Sequence, residues 1–181
     1  MARISYAERD DVPTRLQHLF DDMSTYGPFG SLVGAMAHRP PIFEHVFGML
    51  TDLRKEGVLP RRYLELALVA VSKLNECDYC VAHHSPFLNI EGVSPLGAEN
   101  ILDYKDHPEF DEIDKLVVEY SIGVSNDFNR VRDAMFARLK KHFTEKQIVE
   151  LTWRIALCGA FNRFNDVLQL DLEADALAKI A

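Results

Sequence analysis

Cysteine is scarce in this chain. Only Cys77, Cys80 and Cys158 occur in 181 residues. An odd, low count excludes the disulfide framework of a small secreted domain. Basic surplus is also missing: 20 Lys and Arg stand against 28 Asp and Glu, a net charge of −8. With no Lys/Arg cluster, the chain lacks what phosphate neutralisation requires, so no nucleic-acid partner is expected. The same lack argues against a basic membrane-surface helix. Long apolar runs are absent too; the longest candidate, Leu66–Val71, is broken by Ser72 and Lys73, so no membrane span is expected. The acidic start MARISYAERDDVP has no apolar h-region, and a cytoplasmic location is the expectation. Sustained period-2 alternation bounded by turn residues is lacking, so no sheet is expected.

What is present is helical periodicity over nearly the whole length. Leu16, Leu19, Phe20 and Met23 recur at helical spacing from about Pro13. A short apolar helix, Ser31–Ala37, stops before Pro40-Pro41. The next carries Phe43, Val46, Phe47 and Leu50 and ends at Gly57 and Pro60. A helix from about Pro60 to Leu74 is apolar around most of its circumference and should be central. A cysteine-bearing helix from Glu76 or Cys77 to about Asn89 is closed by Gly92. Ser94-Pro95 reads as the cap of a short helix to about Tyr104. Further helices are expected over Pro108–Ser125 and Val131–His142. Thr144-x-x-Gln147 is a capping box that opens a long helix to Leu168, and Asp171–Ala181 reads as a terminal one. At this length one domain is expected over residues 1–181, with a core at about 29–173 and a helical arm before it. Apolar helices such as Phe43–Leu50 and the one around Trp153 exceed what a monomer's interior needs, so a homo-oligomer is expected.

One stretch concentrates the reactive side chains: Glu65–His84, ELALVAVSKLNECDYCVAHH. On a helix starting at Cys77, Cys80 and His84 fall within about 60° of it, whereas His83 lies about 120° away. Spacing therefore selects His84 as the partner of the cysteines, and His83 reads as a surface or supporting residue. A helix start favours a thiolate, and Cys77 feels this most. Glu65, among Leu64, Leu66, Ala67 and Leu68, is expected to be desolvated, which raises a carboxyl's pKa and makes it a proton acceptor near neutrality. Its structural alternative is a carboxylate paired with Arg61 or Arg154. Zinc needs four ligands where Cys77, Cys80 and His84 supply three, so no metal and no cofactor are assigned. Cys158 reads as core, and Trp153 as core or interface. The segment Glu150-Leu151…Asn162-x-x-Asn165 repeats Glu65-Leu66…Cys77-x-x-Cys80 at an offset of 85 residues, a pattern that fits either a duplicated helical hairpin or chance.

The set Glu65, Cys77, Cys80 and His84 resembles the alkylhydroperoxidase D-like, peroxidase-related branch of the carboxymuconolactone decarboxylase family. The segments PPIFEHVFGML (Pro40–Leu50), RRYLELALVAVS (Arg61–Ser72) and AFNRFND (Ala160–Asp166) carry the same resemblance. It implies an all-α, oligomerising, AhpD-like bundle. It implies a thiol peroxidase that reduces hydroperoxides with electrons from a dithiol protein, lipoyl or thioredoxin-like. It further implies that Cys80 attacks, Cys77 resolves, and Glu65 and His84 relay protons. Tyr79 departs from the pattern, which places histidine there. The other reading of the cysteine pair is a redox sensor that switches oligomer state without turnover.

Overall fold

The computed structural model describes residues 1–173, and these form helices and connecting turns with no strand among them. The helices are α1 (Gln17–Tyr26), α2 (Gly30–Ala37), α3 (Pro40–Glu56), α4 (Arg61–Leu74), α5 (Asp78–Ile90), α6 (Pro95–Glu99), α7 (Glu112–Asn126), α8 (Asp133–Leu139) and α9 (Glu145–Leu168). Two compact units divide them: 1–57 with the chain from 165 onward, and 58–164.

In the first unit, α3 starts at a proline pair, where a missing N–H costs nothing, and stops at Gly57. Gly57 takes the left-handed conformation (φ 60°) and returns its N–H to the Leu53 carbonyl at 3.0 Å. Phe43 and Phe47 meet edge to face with centroids 5.3 Å apart. The N-terminal strap lies against α2, with the Ala7 N–H donating to the Gly34 carbonyl at 3.0 Å. A Cβ at Gly34 would meet the Tyr6 Cβ at 2.8 Å, so only glycine permits this approach.

The second unit is built on α4. Every residue from Glu65 to Ser72 is buried, which is why the helix reads as apolar all round. α4 packs against α5 and α7, and its Leu66, Val69 and Val71 join Leu116, Val117, Leu151 and Ile155 in one core. Each such side chain contributes about 1.5–3 kcal/mol on burial. Ser94 caps α6 by accepting from the Gly97 N–H at 3.0 Å, as its position before Pro95 predicts. Thr144 and Gln147 form the expected capping box at the start of α9.

Three expectations need correction. The helix expected from Pro108 begins at Glu112, because Asp111 caps it through the Ile113 and Asp114 N–H groups, both at 2.8 Å. The helix expected over Val131–His142 shortens to Asp133–Leu139 between a 3-10 turn at Phe128–Arg130 and a turn at its far end. The 85-residue repeat is not a pair of hairpins: the first copy breaks at residues 75–77, while the second lies within the continuous α9. The expected terminal helix falls outside the described residues from 174 onward, and residues 171–173 are not helical.

A buried ion pair joins three elements of this unit. Arg62 on α4 holds both oxygens of Asp114 on α7, at 3.0 and 2.6 Å, and donates to the Glu91 carbonyl after α5 at 2.6 Å. Asp114 is fully buried, so removing its partner strands a charge in the core. Arg62→Met is therefore expected to lower stability by about 3 kcal/mol, read from urea unfolding of the purified variant.

Candidate active site

The turn between α4 and α5 sets the site. Asn75 ends α4, and Glu76 then takes a left-handed conformation with φ 55°. The Glu76 N–H reaches the Lys73 carbonyl at 3.2 Å and the Cys77 N–H reaches the Ser72 carbonyl at 3.0 Å. This pair of bonds is a Schellman motif, which usually places glycine where Glu76 stands. A side chain in that conformation costs about 1 kcal/mol, so the surroundings must hold it. Cys77 leaves the turn extended (φ −88°, ψ 92°) and is the N-cap of α5, which starts at Asp78, just after the Glu76 or Cys77 that spacing suggested.

The four predicted residues gather as two pairs. The Cys77 thiol donates to the Cys80 sulfur at 2.9 Å. Both thiols are unbridged, and Cys77 is fully buried with Cys80 5% exposed. A disulfide, at about 2.05 Å, needs only a small approach from this contact. The second pair is His84 and Glu65: Nδ1–H of His84 donates to Oε2 of Glu65 at 2.9 Å. A carboxylate only accepts, so this bond puts the proton on Nδ1 and assigns proton exchange to Nε2. His84 follows Cys80 by one helical turn, so α5 presents both on neighbouring positions of one face.

Glu65 has a second partner. Arg61 lies one turn earlier on α4, with Nε 3.6 Å from Oε1, and its guanidinium covers the Phe87 ring at 4.5 Å. The structural alternative for Glu65 and its role in the pair thus coexist: the buried carboxylate sits between an arginine and a histidine. Of the two arginines that spacing offered, Arg61 makes the contact.

Spacing left His83 as a surface or a supporting residue, and burial removes the first reading. It is not a surface residue but 1% exposed. Its Nδ1–H donates to the Tyr79 carbonyl at 2.5 Å, and its ring stacks on Tyr79 with centroids 4.1 Å apart. Tyr79 and His83 are four residues apart, so the helix stacks them by its own period. An aromatic residue followed four later by histidine was the available signal.

Behind the turn lies a polar cluster that sequence reasoning missed. Asn75 Nδ2 donates to Asn162 Oδ1 at 2.8 Å, and Asn162 Nδ2 donates to Ser72 Oγ at 3.3 Å. Ser72 Oγ contacts Cys158 Sγ at 3.4 Å, and Cys158 in turn reaches the Leu68 carbonyl at 3.6 Å. Cys158 is core, as expected. Burial pushes its thiol up to about 11, against smaller opposing hydrogen bonds from Ser72 and Asn162. Trp153, expected in the core or at an interface, is 49% exposed. A surface cavity of about 370 Å³ lies elsewhere in this unit, lined by Tyr120, Val131, Met135, Arg130 and Arg132 among others. None of the four site residues lines it.

An all-helical unit with a C-x-x-C pair at a helix start, backed by a histidine–carboxylate pair from two packed helices, defines the AhpD-like class of fold. Residues 40–103 match the model of the carboxymuconolactone decarboxylase family, and the fold is AhpD-like. The uncharacterized protein YnjA of Escherichia coli K12 is 28% identical over 127 residues, covering 70% of this chain and 69% of its own. Among solved structures, a peroxidase-related protein with an AhpD core from Ralstonia eutropha JMP134 superposes with a TM-score of 0.83 at 23% identity. The likeness covers 97% of this chain and 94% of that one. The debrominase Bmp8, solved with 2,3,4-tribromopyrrole, gives 0.80 at 18% identity over 99% and 98% of the two chains. At these identities the solved structures share the fold. No helix among the described residues is long and apolar enough to cross a membrane.

The raised Cys158 thiol carries a pH dependence. The folded state keeps its proton up to about pH 11, while the unfolded chain releases it near its ordinary value of 9.0. Stability from this group is complete below pH 9 and is lost as pH rises towards 11. The loss should be on the order of 2 kcal/mol, and Cys158→Ala should flatten it in urea titrations run from pH 8 to 11.

Proposed function

We propose that this protein is a dithiol-dependent peroxidase acting on hydroperoxides, with Cys80 as the attacking sulfur. The observation that carries the reading is the 2.9 Å contact in which Cys77 donates its S–H to Cys80. It makes Cys80 the sulfur that presents its lone pair and leaves Cys77 as the neighbouring proton-bearing thiol. The helix-start argument favours Cys77 as the more acidic thiol, and the S–H direction opposes it. Family resemblance agrees with the latter.

The cycle balances as follows. The Cys80 thiolate attacks the terminal oxygen of ROOH, the O–O bond breaks, and a sulfenic acid forms. The departing alkoxide takes from Nε2 of His84 the proton that Nε2 received from the Cys80 thiol, while the Nδ1–H stays on Glu65. Cys77 sulfur then attacks Cys80 sulfur, a disulfide forms, and the hydroxyl leaves as water with the Cys77 proton. The sum is ROOH and two thiols giving ROH, water and one disulfide. A dithiol protein, lipoyl or thioredoxin-like, restores the thiols by two exchanges. Small hydroperoxides suit sulfurs as buried as these.

Tyr79 occupies the place where the resemblance expects histidine, so the relay here runs through Glu65 and His84 alone. We extend the proposal to a homo-oligomer in the cytoplasm, its association supported by exposed apolar side chains such as Val149 and Ile90.

The test is hydroperoxide consumption with dihydrolipoamide or reduced thioredoxin as donor. Cys80→Ser should fall at least about 10²-fold in turnover, and His84→Ala about 10²-fold in kcat/KM. His84→Ala should still form the Cys77–Cys80 disulfide with an added disulfide oxidant. Wild-type turnover by Cys80→Ser would sink the proposal. A change in size on oxidation, with no wild-type turnover, would favour the redox-sensor reading instead.

A further inference from the structure

The stretch AFNRFND is the motif that the peroxidase cycle leaves unused, and Asn162, 1% exposed, is one of its two buried asparagines with Asn165. Its amide spans the two residues that end α4. Oδ1 accepts from the Asn75 side chain at 2.8 Å, and Nδ2 donates to Ser72 Oγ at 3.3 Å. Ser72 is the residue whose carbonyl takes the Cys77 N–H at 3.0 Å. Asn75 is the last residue before the left-handed Glu76.

Hydrogen positions follow from donor counts. Cys158 S–H points at the Leu68 carbonyl, Ser72 O–H at Cys158 sulfur, and Asn162 N–H at Ser72 oxygen. The chain starts at Asn75, and Asn162 Nδ2 also donates to Cys158 sulfur at 3.8 Å. We propose that Asn162 is a positioning residue for the dithiol: from α9 it clamps Ser72 and Asn75, the residues of the Schellman turn that precede Glu76, and thereby sets the Cys77 sulfur on Cys80. The proposal rests on the reading of Cys77 and Cys80 as a redox pair. It adds that a residue on another helix sets their equilibrium.

A clamp that holds a strained turn makes two linked forecasts. Removing it lets the turn relax, so Cys77 leaves its contact and the disulfide loses its preorganisation. Replacing Glu76 by glycine lets the turn hold its left-handed conformation without help.

The experiment is equilibration of the full chain with reduced and oxidised dithiothreitol, followed by acid quench and mass analysis of trapped thiols. Asn162→Ala should lower the disulfide-forming equilibrium constant about tenfold, which is about 30 mV in the less reducing direction. Glu76→Gly in the Asn162→Ala background should recover most of that shift. A folded Asn162→Ala with the wild-type constant overturns the proposal, as does a shift that Glu76→Gly leaves untouched. Should Asn162→Ala not fold, Asn75→Ala removes only one of the two clamp bonds. A shift of about threefold then supports the proposal, and a wild-type constant overturns it. Peroxide turnover of the wild type is read separately, so a missing turnover with an intact tenfold shift rejects the peroxidase reading and leaves the clamp standing.

Discussion

The bond from the Cys77 N–H to the Ser72 carbonyl, at 3.0 Å, is the hinge of the site. It closes α4 and opens α5 in the same residue. Because α4 ends there, Glu65 lies below the turn on the most buried helix of its unit. Because α5 begins there, Cys80 comes one turn later and His84 a turn after that. The spacing E-x(11)-C-x-x-C-x-x-x-H is thus the record of two helices folded over one tight cap. An extra residue between Leu74 and Cys77 would rotate α5 by about 100° and carry the cysteines away from Glu65.

That cap runs against local preference, and its environment shows how the preference is overruled. Glycine suits the left-handed position, yet Glu76 fills it at φ 55°. The price in backbone energy is met by side-chain bonds from Ser72, Asn75 and Asn162, all arranged around the turn. Burial keeps Cys158 protonated against the hydrogen bonds it shares with Ser72 and Asn162, which separates it chemically from Cys77 and Cys80. Three cysteines in one unit therefore divide by environment: two touch each other at a helix start, and one is locked in a buried polar chain.

What was legible in the residues was what local periodicity determines. The apolar circumference of α4, the capping signals at Ser94 and Thr144, and the Cys80–His84 spacing all follow from rules that act within a few residues. Glu65 was legible because a carboxylate among leucines is conspicuous. Long-range partners were not. Nothing near Arg62 announces Asp114, 52 positions later, and nothing near Ser72 announces Asn162. His83 stayed open between surface and support because a helical-wheel angle measured from Cys77 says which face a residue shares, not what packs against the other face. Helix starts also moved where an acidic cap such as Asp111 competes with apolar periodicity.

The Glu65 carboxylate shows why the proposed proton relay needs more than a histidine. A buried carboxylate without a cation is costly, and here it has two partners of unequal kind. His84 contacts one oxygen at 2.9 Å, and Arg61 approaches the other at 3.6 Å. When His84 carries its second proton, both partners are cationic and the carboxylate is fully compensated. In the proposed peroxidase step, Nε2 gives that proton to a leaving alkoxide and Arg61 remains. The swing in charge during the step is then confined to the imidazole, and Glu65 need not move or change its bonds. Arg61 is itself held by its position over the Phe87 ring, one turn beyond His83 and three residues from His84 on α5. The helix that carries the sulfur and the imidazole therefore also carries the ring that seats the arginine, and α4 supplies the carboxylate and the guanidinium one turn apart. Two helices, each presenting alternate members of the set at helical spacing, can hold this balance only if the turn between them keeps its angle.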